Sequence, residues 1–300
     1  MSDMLTHWAA FEDCRRLAAL DGRVDPWLVS IMEERRDIAR LGALSRAGSV
    51  FVPHILERER RRLREEGIEN VDGARMAYAL GGITHYPVDV MMKPLARSKS
   101  GADWHKEHVR MKREGGKGFS PAREVSAYYD THVFRKVYAE GREEPFCRFF
   151  LAENDTETGQ ELESFIFSLF QRALLASHTL APDKENLDEW LDNLFARIQP
   201  LYIDVRTFVD VFLHPDPEKM KRYGVETEFY LESDPAILLA RRVQSGAHVS
   251  QDELSAALAE DDNTSGYAKA LCRGMVRLAE TSAYWTGETD ALPDIVQRGH

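Results

Sequence analysis

Cysteine is scarce in this chain. There are three in 300 residues, Cys14, Cys147 and Cys272. They are odd in number, far apart and without CxxC spacing, which argues against a disulfide framework and against a zinc ribbon. Long apolar runs are also missing. Polar groups interrupt each hydrophobic stretch well before the roughly 20 residues that a helical bilayer span needs. The opening residues, MSDMLTHWAAFEDCRR, carry acids at Asp3, Glu12 and Asp13 and lack the apolar centre of a secretory signal. Positive charge is in deficit. The net charge of −11 argues against a passive nucleic-acid sleeve, which requires a broad basic surface. Nor is there a P-loop, a glycine-rich dinucleotide fingerprint after a strand, a G-x-S-x-G elbow or an H-E-x-x-H helix. These absences predict a cytoplasmic protein with no transmembrane segment.

What the chain has is helical periodicity. Hydrophobic residues make up 43% and charged residues 30%, the balance of a folded rather than a disordered protein. Apolar positions at 8, 11 and 18 predict a helix over Thr6–Ala19. Pro26 followed by WLVSIMEERRDIARLGAL predicts a second, with proline in its first turn. VPHILERERRRLREEG predicts a third, ended by Gly67. Its arginines alternate with Glu57, Glu59, Glu65 and Glu66, as on a solvated helix face. A fourth helix is expected from Asp72 to about Met92, kinked at Pro87. A fifth opens at Ser120–Pro121. Two long apolar helices are expected at 156–178 and 186–214, with Phe165, Phe167, Phe170, Trp190 and Phe195 in their core. VETEFYLES, with its alternation, is the strand candidate. Shorter helices close the chain. The expected fold is all-α, one large multi-helix domain over residues 1–300.

The segment from Ala96 to Ser120 is the most loop-like. It holds seven basic and three acidic residues, a local charge of +4 inside an acidic protein. Such a segment suits either a solvated loop or a lid that attracts phosphate.

The chemistry is concentrated in YALGGITHYPVDVMMKPL, Tyr78 to Leu95. His85 and Asp89 stand four residues apart, so they share one face of a helix otherwise suited to a core. An imidazole and a carboxylate at that spacing can converge on one cation or hydrogen-bond each other. Lys93, a further turn on, is a possible ion-pair partner for Asp89.

YALGGITHYPVD resembles the G-x-x-x-H-Y-x-x-D helix of the zinc-dependent phospholipase C family, which is related to the S1/P1-type nucleases. LTHWAAFEDCRRLA is similar to that family's N-terminal helix, which begins with a metal-binding histidine, here His7. RLGALSRAG resembles its G-A-x-G-P-D turn, and YAKALCRGMVRLAETSAYWTGE its closing helix. The resemblance spans residues 1–140 and a vaguer tail. It implies a helical bundle around zinc ions that activate water and neutralise a phosphate ester during hydrolysis.

The chain departs from the family's ligand set. Ser45, Arg46 and Ala47 stand where the turn supplies an aspartate, and Lys93 to Ala96 where a further histidine should follow. If Asp130 matches a later aspartate, Ala122 and Ser126 occupy two more ligand positions. The full three-ion site is therefore expected to be absent. A reduced site is expected, with one zinc ion on His7, His85 and Asp89, joined by His54, Glu124 or His132. Lys93, Arg97 and Lys99 would hold a substrate's phosphate. Two functions follow from the resemblance: a diverged metal-dependent phosphoesterase acting on a small phosphate-containing ligand, or a catalytically inactive helical protein that binds a partner and carries no metal.

Overall fold

The computed structural model describes residues 4–45, 48–103, 106, 109, 121–138 and 209–294. Among these the protein is helical and contains no strand. The α-helices are α1 (Met4–Ala18), α2 (Pro26–Glu34), α3 (Arg36–Leu44), α4 (Gly48–Glu66), α5 (Gly73–Ser100), α6 (Pro121–Val133), α7 (Pro217–Arg222), α8 (Pro235–Gln244), α9 (Gln251–Ala257) and α10 (Gly266–Thr286). The helices expected at 156–178 and over most of 186–214 lie outside the described residues, as do the five aromatics assigned to their core. So do Cys147, His105, His108, His178, His300 and the glycines at 115–118. No helix among the described residues is long and apolar enough to cross a membrane.

The described residues fall into two compact units. One is drawn from 7–91 and 231–294, the other from 4–6, 92–138 and 209–230. In the first, Phe11, Leu17, Leu28, Met32, Tyr78, Ile83, Tyr267 and Leu271 are wholly buried. Side chains at the helix starts satisfy N–H groups that have no partner within the helix. Asp25 accepts from Trp27 N at 2.9 Å ahead of Pro26, and its own N–H donates to Ser282 Oγ on α10 at 2.7 Å. Trp27 and Trp285 stack alongside, 4.9 Å between centroids. Asp234 accepts from Thr264 N and Ser265 N at the start of α10, and Ser250 and Glu253 form a capping box on α9.

The stretch 26–44, expected as one helix, is two. Arg35, at φ −114° and ψ 34°, interrupts it between α2 and α3. The interruption redirects the chain so that Arg36 and Arg40 both reach Glu12 on α1. Helix α3 then crosses α5 at very short range. A Cβ added to Gly42 would lie 2.0 Å from Tyr78 O, and one added to Gly81 would lie 1.9 Å from Ala39 O. Only glycine lets the two backbones approach that closely.

Helix α5 is longer than expected. It continues through Pro87 and Pro94 to Ser100, so the first residues of the expected loop are helical. In the second unit the strand candidate is instead a π-helical turn, Val225–Phe229. Gly224 adopts the left-handed region at φ 62°, and its carbonyl accepts from both Glu228 N and Phe229 N. The turn buries Val225 and Phe229 and stacks Phe229 on Tyr129 of α6 at 4.1 Å. Tyr129 also donates to Tyr223 O at 3.1 Å. In the same unit Asp130 accepts from Thr6 N at 2.8 Å and Thr6 Oγ1 at 2.7 Å.

Candidate metal centre

Helix α1 is not amphipathic over its first three turns, because every residue from Met4 to Cys14 is buried. A polar side chain there must find a partner inside the protein or cost several kcal/mol. His7 is such a residue, 2% exposed. On α5 the stretch from Met76 to His85 is likewise buried, and Asp89 follows one turn later. His85 is 9% exposed and Asp89 7%.

These three side chains meet. His7 Nε2 lies 3.4 Å from Asp89 Oδ1, and His85 Nε2 lies 3.2 Å from Asp89 Oδ2. The two imidazoles stack almost parallel, 12° apart, with centroids separated by 4.0 Å. One ligand atom from each residue falls within 4.8 Å of the other two, and this is the one such group of histidine, cysteine and carboxylate donors found among the described residues. Burial by itself would push the Asp89 carboxyl up. When they are protonated, the imidazoles of His85 and His7 outweigh burial and hold it well below the usual range.

The other nitrogen of His85 is also placed. Nδ1 lies 2.7 Å from Ala43 O, in the last turn of α3. A carbonyl only accepts, so Nδ1 carries the hydrogen. The Nε2 facing Asp89 is then a lone pair, or it carries a second proton and the ring is an imidazolium. A lone pair beside a carboxylate oxygen is repulsive unless a cation lies between them. Two imidazolium rings stacked face to face would repel each other as well. The arrangement can therefore hold one shared cation, a proton or a metal ion.

Two imidazole nitrogens and a carboxylate oxygen are donor types that a metal ion such as zinc takes. Bonds of about 2.0–2.2 Å in a tetrahedron place neighbouring ligand atoms roughly 3.3–3.6 Å apart. Each imidazole stands near that distance from one oxygen of Asp89, His7 from Oδ1 and His85 from Oδ2, and the three ligand atoms lie within 4.8 Å of one another. A histidine that donates its second nitrogen to a backbone carbonyl is also a common arrangement around protein-bound metals.

The remaining candidates have surroundings of their own. His54 is exposed on α4. Glu124, on α6, pairs with Lys219 at 2.6 Å. His132 is buried, with Nδ1 3.8 Å from Glu226 Oε1 and its ring edge-on to Tyr230. Lys93 is half-buried and Arg97 exposed on α5, and the Lys99 ammonium is ion-paired with Glu228. Of the positions that depart from the family pattern, Ser45 and Ser126 are buried and Ala122 is half-buried.

Sequence reasoning did not find the Ala43 carbonyl, because a backbone acceptor has no side-chain signature. The glycines in RLGAL and YALGGIT were the available signal for the helix contact that brings it to His85. No family model, curated protein or solved structure matches the chain.

Proposed function

We propose that His7, His85 and Asp89 form a mononuclear metal centre in an all-α protein of the zinc-dependent phospholipase C type, and that this centre serves phosphate-ester hydrolysis. The observation that supports the reading best is the tautomer of His85. Its Nδ1 hydrogen is committed to Ala43 O, so in the neutral ring the nitrogen that faces Asp89 is the one with a lone pair to offer a cation.

A bound zinc ion supplies a Lewis acid and a water of lowered pKa. His7 and His85 contribute neutral nitrogen donors. Asp89 would contribute the negative charge. Ala43 keeps the proton on Nδ1 and away from the donor nitrogen. With three protein ligands the ion would keep a position for water, as catalytic zinc sites do and closed structural sites do not.

A second reading has its own support. The short contacts from both imidazoles to Asp89 also suit a buried hydrogen-bonded triad in a binding protein that holds no metal. Metal content separates the two. Purified protein is expected to carry about one zinc per chain by elemental analysis, and His85→Ala and Asp89→Asn to carry none. Wild type, but neither variant, is expected to hydrolyse a chromogenic phosphodiester. Absence of metal after incubation with zinc would leave the triad as a structural hydrogen-bond cluster.

A further inference from the structure

We infer that helix α3 is a positioning element for the metal centre, with Gly42 and Gly81 as the residues that set its metal affinity by pressing the Ala43 carbonyl onto His85. The inference rests on the metal reading of the triad and adds what controls it.

The C-terminal end of α3 explains why Ala43 is available. The last carbonyls of a helix have no intrahelical donor. Here Leu41 O accepts from Ser45 Oγ at 2.7 Å, and Gly42 O accepts from Ser45 N at 3.0 Å. Ala43 O accepts from His85 Nδ1. The C-terminal end of a helix also carries partial negative charge, which suits an N–H donor.

The reach depends on how closely the helices pack. Helices usually cross with axes 8–10 Å apart, at a distance set by the side chains in the contact. At this crossing two glycines replace side chains. Gly42 lies against Tyr78 O, and Gly81 against Ala39 O and Ala43 N. His85 stands one turn beyond Gly81 on α5, so it meets the same end of α3. A methyl group at position 81 cannot be absorbed by a rotamer change, because it would meet backbone atoms at 1.9 and 2.7 Å. The helices must separate, and the hydrogen bond from Nδ1 to Ala43 lengthens. The proton is then no longer held on Nδ1, and the neutral ring can place it on Nε2, where it blocks the donor lone pair.

Gly82 provides the control. A Cβ there would meet the side chains of Val52 and Phe51 on α4, at 2.8 and 3.0 Å, and would leave the crossing with α3 intact. It disturbs packing on the same helix without touching the Ala43 contact.

The test measures zinc affinity by competition with a chromophoric chelator for wild type, Gly81→Ala and Gly82→Ala, with ¹⁵N-histidine NMR of the metal-free proteins reporting the His85 tautomer. Wild type is expected to bind zinc and to show a protonated, hydrogen-bonded Nδ1. Gly81→Ala is expected to lose about 10–100-fold in affinity, as loss of an outer hydrogen bond to a metal-ligating histidine does, and to lose the Nδ1 signature. Gly82→Ala is expected to keep both. If Gly81→Ala does not fold, Ser45→Ala replaces it. That variant frees Leu41 O, loosens the same helix end, and should weaken zinc binding in the same direction by several-fold. Wild type that binds no zinc would overturn the metal reading and this inference with it. Wild type that binds zinc, beside a Gly81→Ala or Ser45→Ala protein of equal affinity and unchanged tautomer, would overturn the inference alone.

Discussion

Two buried carboxylates in the first unit meet the same physical problem in different ways. Glu12 on α1 is wholly buried and is gripped by guanidinium groups. Arg36 reaches it at 2.8 and 2.9 Å, Arg40 at 2.6 Å and Arg15 at 3.1 Å. Asp89 on α5 is also buried, but its partners include the imidazoles of His7 and His85. Guanidinium is always charged and only donates, so it neutralises a carboxylate permanently and offers nothing to a cation. Imidazole can take a proton or present a lone pair. The first arrangement ties α1 to α3. The second has donors that could exchange a proton for a metal ion, which is why the proposed centre is placed there although both sites lie on or against α1.

The largest effect should come from breaking the arginine cluster. Glu12→Gln removes the charge that gathers Arg15, Arg36 and Arg40. Loss of one member of a buried charge network costs about 3–5 kcal/mol, and urea unfolding should read a loss of that size. A change below about 1 kcal/mol would show that the cluster behaves like an exposed ion pair, and the contrast with Asp89 would fail.

The pH dependence of stability sharpens the same contrast. Burial works against the ionised form of Glu12, but the hydrogen bond from Arg36 and the charges of Arg40 and Arg15 bring its pKa from 4.5 down to about 2. The unfolded chain therefore binds this proton at a higher pH than the folded protein does. The resulting stability is fully present above about pH 4.5 and is lost as pH falls toward 2, a term of about 3 kcal/mol. Denaturation midpoints measured from pH 6 to pH 2 should fall more steeply for wild type than for Glu12→Gln. Parallel curves would break the assignment.

Zinc should act on the other site. A ligand that binds only the folded protein stabilises it by about 2.7 kcal/mol at a hundredfold excess over its dissociation constant. Thermal melts with added zinc should show this for wild type and also for a folded Glu12→Gln protein, whose metal donors are intact. Asp89→Asn should show no such shift. A zinc effect that vanished with Glu12 and survived without Asp89 would reverse the roles given to the two carboxylates.

Several parts of this arrangement are legible in the sequence. Helical periodicity points to all-α structure, and the described residues contain helices and no strand. The four-residue spacing of His85 and Asp89 implies one shared face, and their side chains lie 3.2 Å apart. What was not legible depends on long-range packing. Glu12 sits in an apolar run and resembles an ordinary surface acid, because its partners Arg36 and Arg40 come from beyond the break at Arg35, which no proline or glycine marks. VETEF alternates like a strand, yet Gly224 turns the chain left-handed just before it and closes a π-helical turn. The Ala43 carbonyl depends on a helix crossing and carries no signature in composition or spacing.

The smallest expected effect concerns Asp13, the neighbour of Glu12. It is wholly buried and accepts from Tyr267 Oη at 2.8 Å and from Arg16 Nη2 at 2.8 Å, and it is also ion-paired with Arg241. Tyr267→Phe removes one neutral donor and leaves both guanidinium groups in place. The phenyl ring keeps the apolar contacts of a fully buried side chain and opens little space. A hydrogen bond to a charged group is worth about 1.5–3 kcal/mol. With two cationic partners remaining, the loss should fall at or below the lower end of that range. Urea unfolding of Tyr267→Phe should thus show a loss of about 1–1.5 kcal/mol, and its zinc-dependent melting shift should equal that of wild type. A loss as large as that of Glu12→Gln would mean that the hydroxyl, rather than the arginines, holds Asp13. The claim that guanidinium groups neutralise the buried acids of α1 would then no longer extend past Glu12.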